Sequence, residues 1–196
     1  MRSIVRRTGV LAAVAGVLML GGAATAQQPN PQQQMKQMMQ MYKPELRKRV
    51  MQLSPQTKKQ VLQILSQHTR HSNRVTFRQV MHEVLADYQA IAAAIATDNG
   101  EAAAEAARRL ANHKIPKGGL FPYFTLDQIN DEDMGVLPGM NAAVEGSARK
   151  LAEAADKGDM ASAAGYLDDI MSGCVACHQK FRGTPGTTDM LMSGGQ

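Results

Sequence analysis

Tryptophan is absent from this chain of 196 residues, and phenylalanine and tyrosine number only four each. A composition this poor in rings and rich in Ala, Met, Glu and Lys points to helices. Cysteine occurs twice, at Cys174 and Cys177, which excludes a zinc site built on two cysteine pairs. The marked apolar run from Gly9 to Leu20 is too short for a comfortable membrane span. Paired carboxylates, a nucleophile triad and a phosphate-binding loop are missing from any defensible context, so the sequence gives no support for an enzyme. A basic face of the kind that binds nucleic acid is missing as well.

The formal charge of +5 reflects the first residues, since removing residues 1–26, with three arginines and no acid, leaves +2. Arg2, Arg6 and Arg7 precede the apolar run, and Ala24-Thr25-Ala26 offers small residues for cleavage, as in a secretory signal peptide. Arg6-Arg7 resembles a twin-arginine signal, but Thr8-Gly9-Val10 continues that pattern poorly. Cleavage after Ala26 is expected to leave a mature chain of 170 residues, enough for one good core. The expected compartment is a bacterial periplasm.

What the chain does have is Cys174-Val175-Ala176-Cys177-His178. Cys-x-x-Cys-His is the attachment signal for c-type haem: two thiols add to the vinyl groups, and the adjacent imidazole reaches the iron. On a helix the three side chains fall within roughly 100° of arc, so a porphyrin can lie against one face. A thioredoxin-like pair would follow a strand and open a helix, and no such strand precedes Cys174. Zinc would need more ligands than the neighbouring sequence supplies. A structural disulfide remains open in an exported protein, although so short a loop stabilises little.

With Phe181-Arg182 following, the pattern Cys-x-x-Cys-His-x-x-Phe-Arg near the end of a helical chain resembles the class II cytochromes c. These are the four-helix cytochrome c′ group and its low-spin relatives. The resemblance covers about residues 75–184. It implies an all-α, antiparallel four-helix bundle with one covalent haem c, and Arg182 near the proximal side of the haem. It also implies redox partners in the periplasm or its membrane, and allows a homodimer through the first two helices.

The expected organisation is a signal peptide at 1–26, a flexible Gln/Met-rich segment at 27–43, a helical N-terminal extension at 44–74, a four-helix domain at 75–184 and a disordered tail at 185–196. Met35, Met38, Met39 and Met41 could bind Cu(I) as soft thioethers; a flexible lead whose end becomes a helix packing its methionine side is the preferred reading. Ser54 and Pro55 open a helix in the extension, which is expected to pack on the same molecule. His68 and His71, three apart among polar neighbours, are expected to be exposed. Helices are expected at about 75–97, 101–114, 137–157 and 160–182 from three-and-four periodicity. His113 is expected to be structural at the second helix's end. Between helices two and three, Phe121, Tyr123 and Phe124 are expected to pin a long loop.

The sixth iron position divides two functions. In the low-spin relatives a methionine of the first helix ligates the iron, which suits single-electron transfer; in cytochrome c′ an apolar residue blocks that side, and NO or CO binds. On the first helix Met81 lies about 40° and His82 about 140° from Phe77, with the apolar stripe near 10°. Met81 is therefore the expected ligand opposite His178, with His82 or an open position as alternatives.

Overall fold

The computed structural model describes residues 30–182. The signal-peptide and tail assignments lie outside the described residues. Within them the chain is all-helical and holds no sheet; a parallel bridge joins His71 to Ile115.

Three short helices come first: α1 (Pro31–Gln40), α2 (Pro44–Gln52) and α3 (Pro55–Ser66). Each has proline in its first turn, where the missing N–H costs nothing and φ is already helical. Ser54 caps α3 by accepting from Thr57 N at 3.2 Å. The Gln/Met-rich segment was expected to end in a helix that packs its methionines; residues 31–40 form a helix whose Met35, Met38 and Met39, with Met41 just after it, pack against apolar core. The thioethers fill apolar space, the gap-filling use to which an unbranched side chain is suited.

The longer helices follow. α4 (Phe77–Ala96) opens on a capping box in which Thr76 and Gln79 satisfy each other's backbone N–H groups. α5 (Gly100–Ala111) is capped by Asn99. The connection that follows contains a 3-10 turn at Phe121–Tyr123 and a short α6 (Asp131–Gly135), started where Asn130 Oδ1 accepts from Asp133 N at 2.8 Å. The third expected helix is interrupted: α7 (Leu137–Asn141) runs into a π-turn (Ala142–Gly146) before α8 (Ser147–Asp156). Gly158, at φ +74°, ends α8 in the left-handed conformation that a residue with Cβ adopts only at a cost. Asp159 then caps α9 (Met160–Phe181) by accepting from Ser162 N at 3.0 Å.

Two apolar clusters organise these helices. In the first, α4 packs on α5, α5 on α8, α8 on α9, and α9 returns to α4 in the least extensive of the four contacts. Buried Ala103, Ala104, Ala106 and Ala107 on α5 let its neighbours approach closely, while Ile91, Leu110, Leu151 and Ile170 supply bulk. The second unites the N-terminal helices with the long connection: Tyr42, Leu46, Val50, Val61 and Leu65 meet Phe121, Phe124, Met134 and, from α9, Phe181. The extension thus packs on its own molecule. Phe121 and Phe124 are buried, and Tyr123 stacks on Phe77 of α4 with ring centroids 5.3 Å apart.

His68 departs from the sequence reading. It was expected to be exposed, yet only 2% of its surface is accessible. Its polar neighbours in sequence turn outward while its ring enters a space closed by His113 and Glu145. His71 is exposed, as expected, and its Nε2 lies 3.2 Å from the His68 carbonyl.

Two contacts fix the approach to the end of α9. Gly173 faces the π-turn so closely that an added Cβ would lie 2.8 Å from Val144 Cγ2 and 3.0 Å from Ala143 Cβ. Gly173→Ala is expected to destabilise the fold by about 1–3 kcal/mol through overpacking, measured by urea denaturation. Lys180 pairs with Asp133 at 2.5 Å, tying α9 to the connection. The Lys180 ammonium, helped by the Asn130 amide, holds the Asp133 carboxyl below the usual carboxylate range. A depressed folded-state value contributes stability above the unfolded value of about 3.9 and loses it as pH falls through the folded value. Asp133→Asn is therefore expected to cost less than about 1 kcal/mol at pH 7 and progressively less as the pH falls below the unfolded value, in urea titrations across that range.

Candidate functional site

The last two turns of α9 carry Cys174, Cys177 and His178, and Arg182 caps the helix, its N–H donating to the His178 carbonyl at 2.9 Å. Helical periodicity alone brings the three motif residues to one side. The two cysteines differ in what they touch. Cys174 packs at the edge of the first apolar cluster, whereas Cys177, less than one turn later, packs at the edge of the second. Both are half-buried and form no disulfide; His178 and Arg182 are exposed. Phe181 is buried below them, its ring centroid 4.6 Å from that of Phe124.

Across from this strip lies α4. Met81 is half-buried against the first cluster, and His82, one residue on, is exposed. Met81, Leu85 and Tyr88 recur at four and three, so they form one stripe along α4. Tyr88 lies close to Cys174: burial, then the nearby Cys174 and Asp168, raises its hydroxyl above the usual tyrosine value. Leu85, Met171 and Val175 remain 52%, 42% and 46% exposed. The thiols are thus flanked on both helices by apolar side chains that the fold leaves incompletely covered.

The environment of the thiols discriminates among the chemistries a cysteine pair can perform. Burial pushes the Cys174 thiol up, and burial followed by the proximity of Cys174 pushes up Cys177. Reactive redox cysteines need the reverse, a lowered value at a helix N-terminus or beside a cation. Here the pair stands near the helix C-terminus, where the dipole further disfavours a thiolate. A closed zinc site also fits poorly. Among the described residues the one group of three or more potential metal ligands is His68, His113 and Glu145, which excludes both cysteines. A covalent planar group would fit: the residues supply two thiols and an imidazole, and the open apolar strip supplies surface for such a group to cover.

Sequence reasoning thus put Cys174, Cys177 and His178 on one helix face, and the structure adds their position between two cores. It missed Tyr88 as a neighbour of Cys174; the signal was its place on the Met81 stripe. No helix among the described residues is long and apolar enough to cross a membrane. No protein-family model, curated protein or solved structure matches the chain.

Proposed function

We propose that the chain is an exported, monohaem c-type cytochrome that carries single electrons between redox proteins of the periplasm or its membrane. The observation that carries this reading is the placement of Cys174 and Cys177 one turn apart, with His178 next in sequence, on a strip bordered by the exposed apolar Leu85, Met171 and Val175. In this reading α4, α5, α7–α8 and α9 are the four helices of an antiparallel bundle, to which α1–α3 are an extension.

Haem c, when bound, supplies an iron that exchanges one electron without making or breaking bonds to a substrate. The residues of the chain hold and tune it. Cys174 and Cys177 anchor the ring by two thioether links, each formed by adding S–H across a vinyl group, so that no other atoms are lost. His178 would supply an imidazole to the iron. Met81, half-buried on the facing helix, would supply a thioether, a weaker donor that would favour the reduced iron and raise the potential. The apolar side chains of the strip exclude water, and the exposed Arg182 guanidinium is available to a propionate. Leu85 gives the gas-binding reading its footing, because it shares the Met81 stripe and could block the distal side without ligating.

Mass spectrometry of the natively matured protein is expected to show one covalently added haem. No added tetrapyrrole, or two free thiols, would overturn the proposal. Exposing the reduced protein to CO then separates the two functions: an unchanged absorption spectrum is expected for the carrier, and rapid formation of an adduct would favour the gas binder. Met81→Ala is expected to abolish the low-spin spectrum and lower the potential. Were only His82→Ala to do so, the ligand would be His82.

A further inference from the structure

Three elements that are distant in sequence deliver one metal-ligating side chain each to a single point. His68 stands just beyond α3, His113 just beyond α5, and Glu145 in the π-turn before α8. Their ligand atoms all lie within 4.8 Å of one another. The side chains of His68, Glu145 and His113 are 0%, 6% and 13% exposed, so the cluster is closed except beside His113.

Hydrogen bonding fixes which ring atoms face the centre. His68 Nδ1 lies 3.0 Å from the Ile64 carbonyl and His113 Nδ1 lies 2.9 Å from the Lys114 carbonyl. A carbonyl only accepts, so each Nδ1 carries a proton, and a neutral ring then turns an Nε2 lone pair inward. This is the arrangement of metal-binding histidines, whose far nitrogen donates to a backbone carbonyl and thereby fixes tautomer and orientation.

The inward atoms meet at Glu145. Its Oε1 is 3.1 Å from His68 Nε2 and 3.4 Å from His113 Nε2. Although the first distance is short, His68 Nε2 is buried and has no hydrogen-bond partner, so the ring is not aligned as a donor to the carboxylate. Ligands about 2.0–2.1 Å from a tetrahedral ion stand about 3.3 Å from each other. Both separations match that edge. The other carboxylate oxygen is engaged, with Arg149 donating to Oε2 at 3.1 Å. The π-turn gives a third indication, because such turns recur at functional sites, where one inserted residue redirects a side chain.

We propose that His68 Nε2, His113 Nε2 and Glu145 Oε1 bind one divalent first-row metal ion, Zn(II), with solvent as fourth ligand on the His113 side. Two imidazoles and one carboxylate, without thiolate or thioether, form a borderline donor set suited to this ion. The site pins the end of α3 to α5 and α8, and so fastens the N-terminal extension to the helices that carry the cysteine motif. It is independent of haem attachment, and zinc is counted separately from iron.

The test uses the full matured chain, stripped with a chelator and then given zinc chloride. One zinc per chain is expected to survive gel filtration, zinc-edge X-ray absorption is expected to show two imidazole nitrogens at about 2.0 Å, and the melting temperature is expected to rise. His113→Gln and Glu145→Gln are each expected to weaken zinc binding by more than about 100-fold, beyond the loss typical of an outer-shell contact. His71→Gln, an exposed neighbour, is expected to leave it intact. No retained zinc, binding lost with His71→Gln in place of His113→Gln, or fewer than two imidazole ligands in the parent spectrum would overturn the proposal. The spectrum decides alone if the variants fail to fold.

Discussion

One helix serving two apolar cores is the constraint on which the rest of the structure depends. α9 contributes Ile170 to the cluster shared with α4, α5 and α8, and Phe181 to the cluster shared with α2, α3 and the long connection. Each of these side chains is worth roughly 1.5–3 kcal/mol when fully buried, so neither end of the helix is free to rotate. The two cysteines fall at the change from one core to the other. Their thiols therefore cannot face solvent or turn fully inward, and stay at the half-buried helix surface where a flat group could be held against the strip.

The second core depends on the N-terminal helices as much as on α9. Tyr42 is fully buried, its hydroxyl donates to the Gly118 carbonyl at 2.6 Å, and burial raises it well above the usual tyrosine value. It is thus a neutral, permanent donor to a connection that would otherwise carry an unsatisfied buried carbonyl. The Asp131 carboxylate accepts from Ser54 N at 2.9 Å, and Arg49 approaches Asp127 at 3.7 Å. The acids of the connection thus serve largely as partners for the extension and α9. Removing the extension would uncover Phe121 and Phe124 and, through Phe124, the Phe181 ring directly below the cysteine motif.

What was legible in the sequence was local. The three-and-four spacing from Val80 to Ile95 marks α4, Ser54-Pro55 marks the start of α3, and Gly158-Asp159 marks the break before α9, because propensity and capping act within a few residues. The spacing of Cys174, Cys177 and His178 was legible for the same reason. The meeting of His68 with His113 and Glu145 was not, since burial is decided by partners 45 and 77 residues away. One signal was available: Glu145 precedes Ala148, Ala152 and Ala155 at helical spacing, and so places a charge on a stripe that the structure buries. The helix at 31–40 was legible only in part, its methionine-packing end but not its full extent, because so short a helix is marginal until its apolar side is covered, and the cover comes from α3 and the connection.

The buried carboxylate also bears on why the extension docks in a single register. Apolar contacts among Leu46, Val50, Val61 and Leu65 are non-directional, and a small slide of α2 and α3 over the connection would change them little. His68 tolerates no such slide. Its ring is closed in beside the Glu145 carboxylate and 4.7 Å from the His113 ring, so a slide of an ångström would press it into one of them or open a gap that nothing fills. The polar cluster thus adds little to the depth of the energy well and much to its narrowness. Because α8 packs directly on α9, the same cluster that fixes the extension also fixes the helix against which the cysteine-bearing turn is set.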